Sequence, residues 1–345
     1  MNKQVSIIIV NWNGKKYLKD CLNSVFNQTY KDFKIIMVDN GSEDGSIKFI
    51  ENNFPETKII KLKENTGYAK GNNYGVKEAL KNKNTEYIVL LNNDTIVNKS
   101  WLEELVKTAE KNKLIGMVSS KALFEDGKIQ TIGLSFEKNL HGYKEGGISI
   151  GYNKDDNKLN KEIEIFAPSG VSALYKKEVI DKIGLFDKDF FCYAEDLDLG
   201  IRARLVGYKC IYNPASRLIH LHSKTSGFGS SFKAFYTKRN AYFIALKYFT
   251  PYYLLTFPFR DFYLTIKQLL KKDKYRSIKE FKSHEGLGGF LKLLFKICYS
   301  IIVIFPKLID KRRKIRKKYR INHKILKEYF NNFCRSNIEN ENHTS

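Results

Sequence analysis

Three clusters of carboxylates and amides hold the residues best suited to chemistry: Asp39-Asn40-Gly41-Ser42, Asn92-Asn93-Asp94 and Glu195-Asp196-Leu197-Asp198. Asp39 ends the apolar run Ile35–Val38 and precedes small residues that favour a tight turn and offer hydroxyls and N–H groups. A carboxylate so placed can accept from a nucleobase imide or a ribose hydroxyl, as α/β sheets commonly hold a nucleoside; the same residues also suit plain loop and helix-cap chemistry. Asn93 and Asp94 follow the run Tyr87–Leu91. One carboxylate with amides is a weak all-protein site for Mg2+ or Mn2+, and an adequate one when a diphosphate supplies the remaining oxygens.

Glu195 and Asp196 open a helical pattern behind Phe190, Phe191 and Tyr193. That aromatic lead-in would dehydrate a pocket and raise a carboxylate pKa toward that of a working base. Adjacent helical residues point about 100° apart, so the two carboxylates cannot share one task. Acidic residues in a first turn also favour the helix dipole, which is the structural alternative. Asp198 and Arg202, four apart, suit a structural pair. In Asn65-Thr66-Gly67-Tyr68-Ala69-Lys70-Gly71, the glycines would let a helix start approach a ligand or the sheet, and Lys70 could reach a phosphate. His220-Leu221-His222 alternates as a strand does, with both imidazoles on one face and one of them available to an Asp94-bound metal.

These residues need a scaffold. Strand and helix patterns alternate over the first 110 residues, from Val5–Val10 through Trp101–Glu110, which implies right-handed crossovers and a parallel sheet carrying Asp39 and Asp94 at its carboxyl edge. A hairpin signal follows at Asp126-Gly127, and Gly146-Gly147 with Asn153–Asn157 suggests an exposed excursion. Ser172–Tyr175 suits a strand, Lys177–Ile183 and Glu195–Val206 suit helices, and Lys209–Tyr212 and Leu218–Leu221 suit short strands. From about Phe232 only helical patterns remain. The expected division is 1–230 as a catalytic domain, with halves at 1–115 and 116–230, and 231–345 as a basic helical region.

The net charge of +23 is unevenly spread. Residues 1–232 hold 34 basic against 29 acidic side chains, whereas 233–320 hold 23 against 5. So basic a block usually meets phosphate. Tyr248–Phe259 and Ile297–Phe305 are too apolar for a nucleic-acid arm and too short for a span of about 20 apolar residues, so an anionic membrane surface is the expected partner and no nucleic acid is expected. A solvated basic helical domain is the alternative. Five scattered cysteines without a C-x-x-C suit a reducing compartment, and Met1–Val10 suits a first strand better than a signal peptide.

In order along the chain, Val5–Asn13, Val38–Ser42, Asn65–Ala69, Leu91–Asp94, Gly170–Ser172, Tyr193–Leu199 and His220–His222 resemble the inverting glycosyltransferases of family 2, of GT-A fold, especially their rhamnosyltransferase-like branch. The resemblance spans residues 4 to 250. It implies an α/β fold with a mixed, mainly parallel nucleotide-sugar-binding sheet flanked by helices. It implies that Asn11 and Asp39 contact the nucleoside of an activated sugar, with Gly67, Lys70 and Asn93 on the donor, and that Asp94 with His222, His220 less so, binds a divalent metal. Asp196 would be the base and Glu195 would position the acceptor. The implied activity is metal-dependent transfer from a dTDP-rhamnose or UDP-hexose type donor to a lipid-linked or polysaccharide acceptor, at the inner face of the cell membrane. Where this family carries Asp-x-Asp, this sequence has Asn92-Asn93-Asp94, which weakens metal affinity. A sugar nucleotidyltransferase and a non-catalytic basic membrane- or nucleic-acid-binding protein are the competing classes.

Overall fold

The computed structural model describes residues 3–139, 142–149, 159–221, 231–252, 254–256 and 276–321, with a few single positions beyond them. His222 and the 153–157 segment lie outside the described residues. The chain forms two compact units, Met1–His222 with Glu328–Ser345 and Ser223–Lys327.

The first unit begins with the expected alternation: β1 (Gln4–Asn11), α1 (Lys15–Phe26), β2 (Phe33–Asp39), α2 (Ser46–Asn53), β3 (Lys58–Lys61), α3 (Tyr68–Ala79), β4 (Thr85–Asn92), β5 (Thr95–Val97) and α4 (Trp101–Glu110). There follow β6 (Ile115–Leu123), β7 (Ile129–Thr131), β8 (Leu134–Asn139), β9 (Gly142–Ser149), β10 (Ile163–Ile165), β11 (Ser172–Lys176), α5 (Lys177–Ile183), α6 (Glu195–Leu205) and β12 (Lys209–His220). The sheet runs β10-β12-β6-β11-β4-β1-β2-β3. Strands β4, β1, β2 and β3 are parallel to one another, and β11 is inserted antiparallel between β4 and β6.

Two local readings change, and one strand stands where no element was singled out. Ile115–Leu123 is a central strand, although Ser119, Ser120 and Lys121 interrupt its apolar pattern. Gly146-Gly147 belongs to β9, paired with β8, and is no loose excursion. Lys209–His220 is one strand, whose pairing with β6 shifts register between Asn213 and Arg217, around Pro214, where the sequence suggested a break.

Val5, Ile7 and Ile9 of β1 pack with Leu18, Leu22 and Trp101 on one face of the sheet, while Ile8 packs with Val76 and Leu199 on the other. Alternate side chains of a strand point to opposite faces, so a fully apolar β1 requires helices on both. Trp101 is fully buried, and its indole N–H is shared by the Ser120 and Ser172 hydroxyls, each at 3.0 Å. This contact gives Ser120 of β6 a partner from inside the core.

Gly71 and Gly75 bring α3 down onto β1. A Cβ at Gly75 would stand 2.4 Å from Ile8 Cγ2. Alanine in a helix gains about 1 kcal/mol over glycine, but overpacking a filled core costs about 1–3 kcal/mol. Gly75→Ala is therefore expected to lower the urea midpoint; an unchanged or higher midpoint would contradict the packing.

Candidate active site

The parallel register sets Asn11 of β1 opposite Asp39 of β2, and Val10 opposite Asn92 of β4. Three strand ends thus share one edge. Asp39 is fully buried; its Oδ1 accepts from Asn11 Nδ2 at 3.2 Å and its Oδ2 from the Ser42 N–H at 3.0 Å. Asn11 Nδ2 also reaches Ser42 Oγ at 3.1 Å, and Asn11 Oδ1 accepts from Asn93 Nδ2 at 2.7 Å. Side chains from β2, β1 and the turn after β4 therefore form one hydrogen-bonded row. Gly14 makes room for it, since a Cβ there would lie 2.1 Å from Asn93 Nδ2 and 2.5 Å from Asn11 Oδ1. Gly14 did not stand out among the sequence candidates, though the Asn13-Gly14 turn signal is visible.

Asp94 follows directly in the turn between β4 and β5. Its Oδ1 lies 3.1 Å from His220 Nε2, and His220 Nδ1 lies 2.6 Å from Gln130 Oε1. One ring nitrogen of His220 is thus held by Gln130 while the other faces the Asp94 carboxylate. A donor pair of carboxylate and imidazole, with the far imidazole nitrogen anchored by a carbonyl-type oxygen, suits a divalent cation. Among the described residues no group of three or more His, Cys, Asp and Glu encloses such an ion. Asp94 and His220 thus fit a metal that takes its other oxygens from water and phosphate. The described imidazole at Asp94 is His220, and Gln130 is a partner that sequence reasoning missed.

Strand β11 joins the other half of the site to β4, because Asn92 N–H donates to Val171 O at 3.0 Å. One residue earlier, the Gly170 N–H donates to Asp196 Oδ2 at 3.0 Å, and the Tyr68 hydroxyl donates to Gly170 O at 2.6 Å. Asp196 is half-buried at the start of α6, and Glu195 is buried beside it. Burial first, then the Asp196 and Asp198 carboxylates, push the Glu195 pKa well above the ordinary range. Burial also raises Asp196, against the pull of the Gly170 and Leu197 N–H groups. Burial with the nearby Glu195 and Asp196 carboxylates raises the Tyr68 hydroxyl too. Glu195 Oε2 is buried and has no hydrogen-bond partner among the described residues.

The approach to α6 is strained: Phe191, Tyr193 and Ala194 have φ of 64°, 68° and 64°. Gly67 and Ala69 hold this strap. Ala69 N–H donates to Phe191 O at 3.0 Å, and a Cβ at Gly67 would lie 2.6 Å from both Phe191 Cδ2 and its carbonyl oxygen. Gly67 is therefore required by close backbone approach. Lys70 is half-buried in the first turn of α3. Asp198 and Arg202 pair as expected, and Arg202 also donates to Ile183 O at 2.7 Å and Leu185 O at 3.0 Å.

A family model described as Glycosyl transferase family 2 matches residues 6–184, more than half of the chain. The chain belongs to glycosyl transferase family 2. Among this family 2 protein's relatives, the O-antigen biosynthesis protein RfbC of Myxococcus xanthus is 27% identical over 232 residues, covering 64% of this chain and 17% of RfbC. A poly-beta-1,6-N-acetyl-D-glucosamine synthase of Staphylococcus epidermidis is 26% identical over 230 residues, covering 65% of this chain and 51% of the synthase. The chain thus aligns with about half, or less, of these relatives' lengths. GalNAc-T7, solved with UDP, GalNAc and Mn2+, superposes with a TM-score of 0.56 at 17% identity, over 88% of this chain and 58% of its own. The mannosyltransferase PcManGT from Pyrobaculum calidifontis, solved with GDP-Man and Mn2+, gives 0.50 at 14% identity over 100% of this chain and 88% of its own. These likenesses show the GT-A fold.

The raised Glu195 pKa fixes the sign of a stability effect in this family 2 domain. The folded state holds the Glu195 proton more tightly than the unfolded state does, so this contribution is complete below the unfolded pKa, about 4.3, and is lost as pH rises through the folded value. Glu195→Gln keeps the neutral shape at every pH. Its urea midpoint relative to wild type is expected to be more favourable at pH 8 than at pH 5; the same difference at both would contradict a buried, proton-holding Glu195.

Proposed function

We propose that this protein is an inverting glycosyltransferase that moves a sugar from a nucleoside diphosphate to an acceptor hydroxyl. The observation that carries the reading is the meeting of two groups of residues at the end of β4: the Asp39-Asn11-Asn93 row on one side and Asp196, tied to Gly170, on the other. Residues 1–115 hold the donor and 116–230 the acceptor. Asn11, Asp39 and Ser42 bind the nucleoside, as carboxylate, amide and hydroxyl at a parallel sheet edge can. Gly67 shapes the loop beside it, and Lys70 and Asn93 face the diphosphate.

Asp94 and His220 hold a divalent ion, Mn2+ or Mg2+, with His222 as a further candidate ligand. Such an ion, when bound, neutralises diphosphate charge. The remaining chemistry belongs to side chains. Asp196, its pKa raised toward a useful value, takes the acceptor hydroxyl proton. The freed oxygen forms a bond to the anomeric carbon as the bond to the diphosphate oxygen breaks; the nucleoside diphosphate leaves with the electron pair, and the configuration inverts. Glu195 uses its unpartnered Oε2 to orient the acceptor.

The donor is of the dTDP-rhamnose or UDP-hexose type, and the acceptor is a lipid-linked or polysaccharide chain. The O-antigen and polysaccharide proteins among the relatives support that class. Residues 231–345 bring the enzyme to an anionic membrane surface at the cytoplasmic face, where a lipid-linked acceptor would be found.

Incubating the protein with Mn2+ and a panel of nucleotide sugars is expected to release nucleoside diphosphate with at least one of them, in an acceptor-dependent manner. Pyrophosphate release from a nucleoside triphosphate would instead support a nucleotidyltransferase. Asp196→Asn should lower kcat by about 10²–10⁴-fold while the Kd for nucleoside diphosphate stays within threefold, about the noise of such a titration; a variant that keeps wild-type kcat would remove the base assignment.

A further inference from the structure

The second unit packs α7 (Ser231–Tyr248) against a long helix, α8 (Arg276–Tyr319). Leu293 and Ile297 of α8 meet Ala234 and Phe235 of α7. Beside this contact runs a groove of about 660 Å3, lined by Phe232, Phe235 and Tyr236 from α7 and by Lys292, Lys296 and Tyr299 from α8. Lys292 and Lys296 stand one turn apart and exposed, and among the described residues neither has a carboxylate within ion-pair distance. Two ammonium groups beside aromatic walls attract an anion that carries an apolar attachment.

The outer side of α8 says what that attachment is. Leu291, Phe295, Tyr299, Ile302 and Val303 recur at helical spacing and are 58%, 72%, 62%, 71% and 62% exposed, on the side away from buried Leu293, Ile297 and Leu308. A contiguous apolar row of this kind marks an interaction surface. The same helix ends in Lys311–Lys318, where Ile315 is the only residue that is not Lys or Arg. Nucleic acid would neutralise the lysines and leave the apolar row in water. A lipid surface satisfies both. Among the described residues no helix is long and apolar enough to cross a membrane, and a helix lying along the interface needs no such length.

We propose that the α7–α8 groove is a headgroup site for an anionic phospholipid, with Lys292 and Lys296 on the phosphate, the aromatic walls on its glycerol and acyl root, and the outer row of α8 at the acyl boundary. The proposal rests on the membrane-surface reading above and adds a defined site to it. Diffuse attraction by the basic run would depend only on the charge removed. A built site depends on where it is removed.

The test compares two full-length variants of equal charge, Lys292→Gln with Lys296→Gln and Lys317→Gln with Lys318→Gln, for sedimentation with phosphatidylglycerol/phosphatidylcholine vesicles and with phosphatidylcholine alone. Wild type should sediment with the anionic vesicles. The groove pair should weaken that binding roughly 10-fold more than the distal pair does, since both remove two charges near the surface and only the groove pair also removes the phosphate contacts. Equal losses would overturn the groove and leave the membrane reading standing. No sedimentation of wild type, or preference for a DNA duplex over the vesicles, would overturn both.

Discussion

The site depends on the parallel register of β2, β1 and β4. That register places Asp39, Asn11 and the turn after Asn92 at a common edge, where Asn11 bridges its neighbours with a donated bond to Asp39 at 3.2 Å and an accepted bond from Asn93 at 2.7 Å. Parallel strands of even spacing end together only when helices cover both faces, and here α1, α2 and α4 cover one while α3, α5 and α6 cover the other. The core thus sets the distance between the Asp39 and Asp94 carboxylates. Loop chemistry alone would not.

The second constraint is the antiparallel insertion of β11. It puts Val171 and Gly170 against the end of β4, and from there one N–H fixes Asp196. Three positive φ angles before α6 each cost on the order of 1–3 kcal/mol, so something must hold them. The Ala69–Phe191 bond, the close approach of Gly67, and the Arg202 and Arg204 anchors of α6 do so. The loop before α3 and the loop before α6 are therefore one mechanical piece. That coupling brings a motif on α3 and another on α6, far apart in sequence, to one place.

Asp39, Asp94 and Asp196 were legible in the sequence because each follows an apolar or aromatic run that a sheet or helix must bury. The α/β alternation to Glu110 was legible for the same reason. Strand β6 was less so: Ser120 and Lys121 find partners across the fold, in Trp101, Ser172, Ser216 and Asn160. Pro214 and the register shift beside it hid the continuity of β12. The contacts of His220 with Asp94 and Gln130, 126 and 90 residues away, leave no local trace in the sequence. Gly67 suggested a ligand contact by its motif, and the structure adds a packing duty against Phe191.

The central claim is that Asp39, Asp94 and Asp196 serve one cleft that grips a nucleoside diphosphate. Crystals soaked with nucleoside diphosphate and Mn2+, measured at the manganese absorption edge, test it most directly. The account predicts one anomalous peak in contact with Asp94 and His220 Nε2, nucleoside density on Asn11 and Asp39, and the Asp196 carboxylate facing the same cavity. Manganese and nucleotide bound elsewhere, or Asp196 walled off from them, would contradict it.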